Sequence, residues 1–267
     1  MIGISDLEYL CAEVRQIARK AGAFLRDERQ KFDRERVEEK SAHNYVSYVD
    51  KESERRLVEQ LSTLLPEAGF IAEEGSGSLT DEEYCWVIDP LDGTTNYSQG
   101  LPIFTVSIGL QCKGETVLGV VYAPYLNELY EACKGKGAML NGRSIHVSGK
   151  NDTQESVVST GFPIDKDRNP DNNLDNLARI LPMVRGVRRQ GSAAFDLCCV
   201  AAGILDGYWE FNLHLWDVCA GILIVTEAGG TVRSFREDRN VSIVAGTPAI
   251  VEQLYPRLSD KPGKICL

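Results

Sequence analysis

Apolar residues along the chain follow two different spacings. Leu7, Leu10, Cys11, Val14, Ile17, Ala18, Ala21, Phe24 and Leu25 recur every three or four positions, the period of one buried helical face. Ser5 followed by Glu8 has the form of a capping box, so a helix is predicted from Ser5. A second helix is predicted from near Asp50, carrying Leu57, Val58, Leu61, Leu64 and Leu65 inward until Pro66 stops it. Lys40 to Val49, between the two, is short and polar.

After Pro66 the period changes. Phe70-Ile71-Ala72, Tyr84 to Ile88, Phe104 to Leu110, Thr116 to Tyr122 and Leu129 to Cys133 are brief β-branched or aromatic segments, parted by turn residues such as Lys113-Gly114 and Asn141-Gly142. They predict a largely antiparallel sheet packed on the two helices. Composition shifts around Lys150-Asn151-Asp152, where a boundary is expected between a 1–150 unit and a 151–267 unit. Beyond it, strands are expected at Val157 to Thr160, Val184 to Arg189, Gly207 to Phe211, Thr231 to Ser234 and Ser242 to Ala245. Helices are expected at Leu174 to Leu181, Ser192 to Leu205, Asp217 to Ala228 and Ala249 to Leu258, the last broken late by Pro256. This alternation is that of an α/β layer, following an α+β first half.

Composition narrows the chemistry. In 267 residues, 43% hydrophobic and 25% charged, the chain is an ordinary folded protein rather than a disordered or fibrous one. Apolar runs fall short of the ~20 residues that span a bilayer. No basic, then apolar, then small-residue export pattern opens the chain, so the expectation is a cytoplasmic protein without a membrane partner. The eight cysteines form no CxxC pair and none lies near a histidine at metal spacing; they read as small core residues, apart from Cys266 near the end. A net charge of −10 argues against sequence-independent binding to nucleic acid. Between Leu57 and Cys112 there is no Lys or Arg, while Glu59, Glu67, Glu73, Glu74, Asp81, Glu82, Glu83, Asp89 and Asp92 all fall inside that stretch.

Most of those acids read as a solvated face. Asp89 and Asp92 differ because of their setting, Trp86-Val87-Ile88-Asp89-Pro90-Leu91-Asp92-Gly93-Thr94-Thr95-Asn96. An apolar strand runs into an Asp, and Pro90 lacks a backbone donor, so the strand is expected to end there. Two carboxylates then lie at its mouth, with Gly93 giving close access and Thr94-Thr95 opening a helix whose orphan amides attract an anion. Carboxylates beside an anion site repel the anion unless a divalent cation lies between them, and Mg²⁺ with hard oxygen ligands resolves that conflict. The alternative is a turn with an Asp cap. Taken singly, Glu73-Glu74 reads as a solvated pair and Asp217 as a helix cap; Ser192 in Gly191-Ser192-Ala193-Ala194 also reads as a cap.

Together, Ala72-Glu73-Glu74-Gly75, the Asp89 to Asn96 run and Trp216-Asp217 followed by Cys219-Ala220-Gly221 resemble the inositol monophosphatase family, magnesium-dependent and lithium-sensitive phosphatases, over nearly the whole chain. The resemblance implies a layered αβαβα sandwich of the sugar phosphatase type. It implies one Mg²⁺ held by Glu73, Asp89 and the carbonyl of Leu91, a second by Asp89, Asp92 and Asp217, and a weaker third near Glu73. Thr94 with Asp50 would position and deprotonate the attacking water, with Glu73 also in the catalytic set. Amides of Gly93 and Thr94 would cradle the phosphate, and Ala193 and Glu210 would meet hydroxyls of a sugar or cyclitol, so the expected substrate is myo-inositol monophosphate or a similar polyol phosphate. A homodimer is implied as well. His43, His146, His214 and Trp216 receive no role.

The sequence departs from the family pattern at Asn44, where many members have Asp, and at Phe211-Asn212-Leu213, bulkier than a common glycine-containing version. Two other readings stand beside the main one. An adenosine 3',5'-bisphosphate 3'-nucleotidase would use extra basic groups, for which Arg185, Arg188 and Arg189 are candidates. A non-catalytic regulator binding RNA or a transcription complex is disfavoured by the charge of −10 and the lack of a basic, aromatic-lined surface.

Overall fold

The computed structural model describes residues 4–31, 38–41, 44–46, 48–77 and 82–258; His43, Asp81 and Cys266 lie outside them. The first helix, α1, spans Ile4–Arg29, one residue ahead of the predicted start. The polar segment after it contributes two short antiparallel strands, β1 (Glu38–Ser41) and β2 (Asn44–Val46), which have no apolar alternation to betray them. Helix α2 covers Tyr48–Leu64, ending before Pro66 as expected.

Seven strands follow: β3 (Gly69–Ala72), β4 (Tyr84–Asp92), β5 (Thr105–Cys112), β6 (Glu115–Ala123), β7 (Glu128–Cys133), β8 (Ala138–Leu140) and β9 (Arg143–Ile145), with the short helix α3 (Thr94–Gln99) after β4. They pair in sequence order, β3 with β4 parallel and the rest antiparallel. The Asn141-Gly142 turn joins β8 to β9, each too short to show a period.

The strand through Asp89 does not end at Pro90. Asp89 pairs with Ser107 and pairing resumes with Asp92 opposite Thr105, so three steps along β4 match two along β5. One extra residue is a bulge, and it absorbs the donor that proline lacks. It has a second effect. Residues three apart on a regular strand point to opposite faces, but Asp89 and Asp92 sit opposite Ser107 and Thr105, which share a face.

The second sheet has the order β11-β10-β12-β14-β13, formed by β10 (Val157–Thr160), β11 (Gly186–Arg188), β12 (Gly207–Leu213), β13 (Thr231–Ser234) and β14 (Val241–Gly246). Its helices are α4 (Leu174–Ile180), α5 (Ala193–Ala201), α6 (Leu215–Glu227) and α7 (Pro248–Leu254). Helix α5 stops well before Leu205, short 3₁₀ turns at Leu181–Met183 and Tyr255–Arg257 take the ends expected of the helices Leu174 to Leu181 and Ala249 to Leu258, and β11 is shorter than the strand expected at Val184 to Arg189.

Three apolar clusters set the layers. α1 and α2 cover one face of the seven-stranded sheet, burying Trp86, Ile88, Val120 and Tyr122. Val121 and Ala123, alternating with them along β6, face α5 and α6, which also cover Tyr208, Ile243 and Ala245 of the other sheet. α4 and α7 close its far face over Val158, Trp209 and Val244. The order is α, β, α, β, α, as the resemblance implies. Helix α6 lies close on the large sheet because β6 offers Gly119 there: a Cβ at that position would stand 2.9 Å from the Ala220 carbonyl oxygen.

Candidate active site

The site is assembled where α2, the β4 bulge and the N-terminal ends of α5 and α6 meet. α2 acts as its clamp. Asp50, Glu54, Leu57 and Leu61 follow one another at helical spacing and are all buried. Asp50 Oδ1 accepts from Thr94 Oγ1 at 3.0 Å, and Ser53 Oγ donates to the Pro90 carbonyl at 3.1 Å. Glu54, fully buried, accepts from the amides of Glu74 and Ser76 at 2.7 and 2.8 Å. One helix thus fixes the turn carrying Glu73, the bulge, and the start of α3. Ser53 and Glu54 were not singled out from the sequence, although acids at core positions of a helical stripe are the signal that finds them. In Glu54→Gln, one amide oxygen replaces two carboxylate acceptors, leaving a buried N–H unpaired. Urea unfolding should show a loss of about 1–3 kcal/mol, and an unchanged midpoint would contradict this holding role.

Thr94 Oγ1 also lies 3.1 Å from the Leu91 carbonyl, and Gly93 before it takes a φ of 91°, a left-handed conformation that favours glycine. Asp89 is buried on β4, with Oδ1 accepting from Leu91 N at 2.9 Å. Asp92 Oδ2 accepts from Ser192 Oγ at 2.7 Å and from Ala194 N at 2.8 Å, at the start of α5. Ser192 caps that helix too, accepting from Phe195 N. Asp217 is not the cap of α6: the helix starts at Leu215 after His214, whose backbone amide donates to Asp217 Oδ2 at 2.7 Å. The His214 ring stacks on Trp216 at 4.6 Å, a packing contact.

Asp92 and Asp217 face a common space, and Glu73 and Asp89 lie near enough for all four carboxylates to feel one another's charge. Burial pushes Asp89 well above the usual carboxylate range, and the charges of Glu73, Asp92 and Asp217 push it further. Asp217 is raised by burial and by Asp92, Glu73 and Glu210. Asp92 rises to about 6 through burial, partly offset by its bonds from Ser192 and Ala194. As placed, three of the four are turned onto local donors, and among the described residues no three His, Cys, Asp or Glu side chains are drawn together closely enough to enclose an ion. The donors are carboxylates plus the Leu91 carbonyl, all hard oxygens without thiolate, which fits Mg²⁺.

Beside this space a cleft of about 180 Å³ is lined by Asp92, Ala193, Glu210 and Asp217, among others. Glu210 is raised to about 7 by burial, with the Tyr208 hydroxyl (2.7 Å) and Arg189 opposing the rise. Of the three candidate arginines only Arg189 lines the cleft. Asp196, missed from sequence, also lines it: burial lifts its carboxyl to about 8 despite a 2.8 Å bond from Gln190. A lone acid in the apolar run Ala193 to Ala201 was its signal.

The inositol monophosphatase family model matches residues 6–261. The chain belongs to this family. It is 41% identical over 254 residues to Nus factor SuhB of Pasteurella multocida, covering 91% of this chain and 95% of that protein. It is 42% identical over 240 residues to the fructose-1,6-bisphosphatase/inositol-1-monophosphatase of Aquifex aeolicus, covering 89% and 91%. The crystal structure of extragenic suppressor protein SuhB from Bartonella henselae superposes with a TM-score of 0.86 at 37% identity, covering 93% of this chain and 98% of that one. Family membership supports phosphatase activity. Among the described residues, no helix is long and apolar enough to cross a membrane.

Proposed function

We propose that this inositol monophosphatase family member is a Mg²⁺-dependent phosphomonoesterase acting on myo-inositol monophosphate or a similar small polyol phosphate. What supports the reading is the Thr94–Asp50 hydrogen bond together with the mutual charge repulsion among Glu73, Asp89, Asp92 and Asp217. Glu73, Asp89 and the Leu91 carbonyl would hold one ion, Asp89, Asp92 and Asp217 a second, with a weaker third near Glu73. When bound, such ions acidify water and offset charge on the entering and leaving oxygens of an in-line displacement.

The chain's own groups orient and receive. Thr94 Oγ1 directs its proton to Asp50 and to the Leu91 carbonyl, so its lone pair is left to accept from the attacking water, and Asp50 is the sink for the proton relayed through it. The amides of Gly93 and Thr94 open α3 and would cradle the phosphate. Ala193, at the start of α5, and Glu210 would meet the ring hydroxyls; a carboxyl near 7 both accepts and donates at neutral pH. Four carboxylates balance two divalent ions, so a chain of charge −10 presents a near-neutral site to an anion. A homodimer in solution belongs to the same reading.

The test is a panel of phosphomonoesters, including myo-inositol monophosphate and adenosine 3',5'-bisphosphate, assayed with Mg²⁺ and with chelator. Hydrolysis of the polyol phosphates is expected with Mg²⁺ alone, and preference for the bisphosphate would replace the substrate assignment with the nucleotidase one. A second reading rests on the relative named Nus factor SuhB: a non-catalytic role in a transcription complex. A chain that hydrolyses no phosphomonoester yet retains RNA with steep salt dependence would establish that role instead.

A further inference from the structure

The segment between β10 and α4, residues 161–173, forms a wall of the cleft through Phe162, Pro163 and Ile164 but contains only turns. Its own backbone bonds are few: Lys166 N to Pro163 O, and Arg168 N and Asn169 N to Asp165 O. Two arginines from the β13–β14 connection grip it. Arg239 Nη2 donates to both carboxylate oxygens of Asp165 at 2.8 and 3.0 Å, immediately after Ile164. Arg236, with a side chain only 2% exposed, pairs with Asp171 at 2.7 Å near the segment's other end. Both guanidinium groups also lie against Phe211, at 4.9 Å for Arg236 and 5.6 Å for Arg239. Phe211 is buried, lines the cleft and follows Glu210 on β12.

We propose that Arg239 is a positioning residue: by holding Asp165 on one side and Phe211 on the other, it keeps Pro163 and Ile164 standing as a wall of the cleft that Glu210 also lines and so sets how tightly the substrate's alcohol portion is held. Asp50, Thr94 and Glu73 are not among the residues lining that cleft, so loss of the wall should act on binding and leave the chemical step in place. A planar fork is needed for the bidentate grip, which a point charge reproduces only in part. The proposal rests on the phosphatase reading for its substrate, while the positioning of the segment can be measured without any substrate.

The experiment pairs steady-state kinetics on myo-inositol monophosphate with hydrogen exchange of the peptide spanning residues 162–172. In Arg239→Gln, KM is expected to rise about tenfold with kcat within about twofold, the peptide to exchange faster, and Arg239→Lys to fall between the two proteins. Asp165→Asn attacks the same pair from the other side and serves if Arg239→Gln does not fold. Unchanged exchange in the folded variant overturns the proposal, as does faster exchange with an unchanged KM. A wild-type protein inactive on every phosphomonoester defeats the phosphatase reading alone; exchange then decides the positioning claim, faster supporting it and unchanged rejecting it.

Discussion

Asp92→Asn should abolish turnover while leaving the protein folded. The amide removes one unit of negative charge and replaces one anionic oxygen of the carboxylate set with an NH₂ group that cannot ligate, and a loss of about 10³-fold or more in kcat is expected. The fold has reason to survive. The oxygen at this position accepts from Ser192 and Ala194, and an asparagine oxygen can accept both. Neutralising Asp92 also removes a charge that pushes on Asp89 and Asp217. Circular dichroism and chemical denaturation check the second half of the prediction, and a Mg²⁺-dependent assay the first. Wild-type activity in this variant would reject the two-ion site.

The chelated protein should lose stability as pH rises from 5 to 8, and Mg²⁺ should restore it. Asp92, Glu210 and Asp196 are held near 6, 7 and 8, and Asp89 and Asp217 are raised as well. Each folded value lies above the unfolded one, so the native state binds more protons and stability falls with pH. The stabilising effect is fully present below the unfolded values near 4 and is lost through the folded values, a window of roughly pH 4–8. Ionising Asp92 alone, from a value of about 6, costs on the order of 3 kcal/mol. Divalent ions replace those protons as counter-charge, and at 100-fold excess over the dissociation constant they add about 2.7 kcal/mol. For a chain of this size that is roughly 5–10 °C in Tm. Thermal melts at pH 5 and pH 8, each with EDTA and with Mg²⁺, give the result; a flat chelated profile, or no Mg²⁺ effect at pH 8, would count against a carboxylate site open to cations.

Much of this was legible in the residues. Helical spacing located α1 and α2, and β-branched runs bounded by turn residues located β3 to β7, because each element buries one face and the burial imposes its period on the sequence. β1, β2, β8 and β9 escaped because, unlike the equally short β3 with its run Phe70-Ile71-Ala72 between turn residues, they carry no such apolar run of β-branched or aromatic residues. Asp89 and Asp92 stood out by their setting, and Asp217 only through the family resemblance. Glu54 and Asp196 did not stand out, since their importance lies in what they touch: two amides of a remote turn, and a cleft made by other elements.

The sequence by itself determined most of the helices and strands and the acid-rich composition of the site, through local period and residue chemistry, and its motifs carried the family resemblance that implied the layered sandwich. Only the tertiary structure decided the geometry. Along a regular strand Asp89 and Asp92 would point to opposite faces, and a single unpaired residue at Pro90-Leu91 turns both toward α5 and α6. Helix α6, seated against Gly119, then brings Asp217 to them from more than a hundred residues away. Ladder register and close helix–sheet approach depend on both partners of a contact, and neither segment alone encodes them.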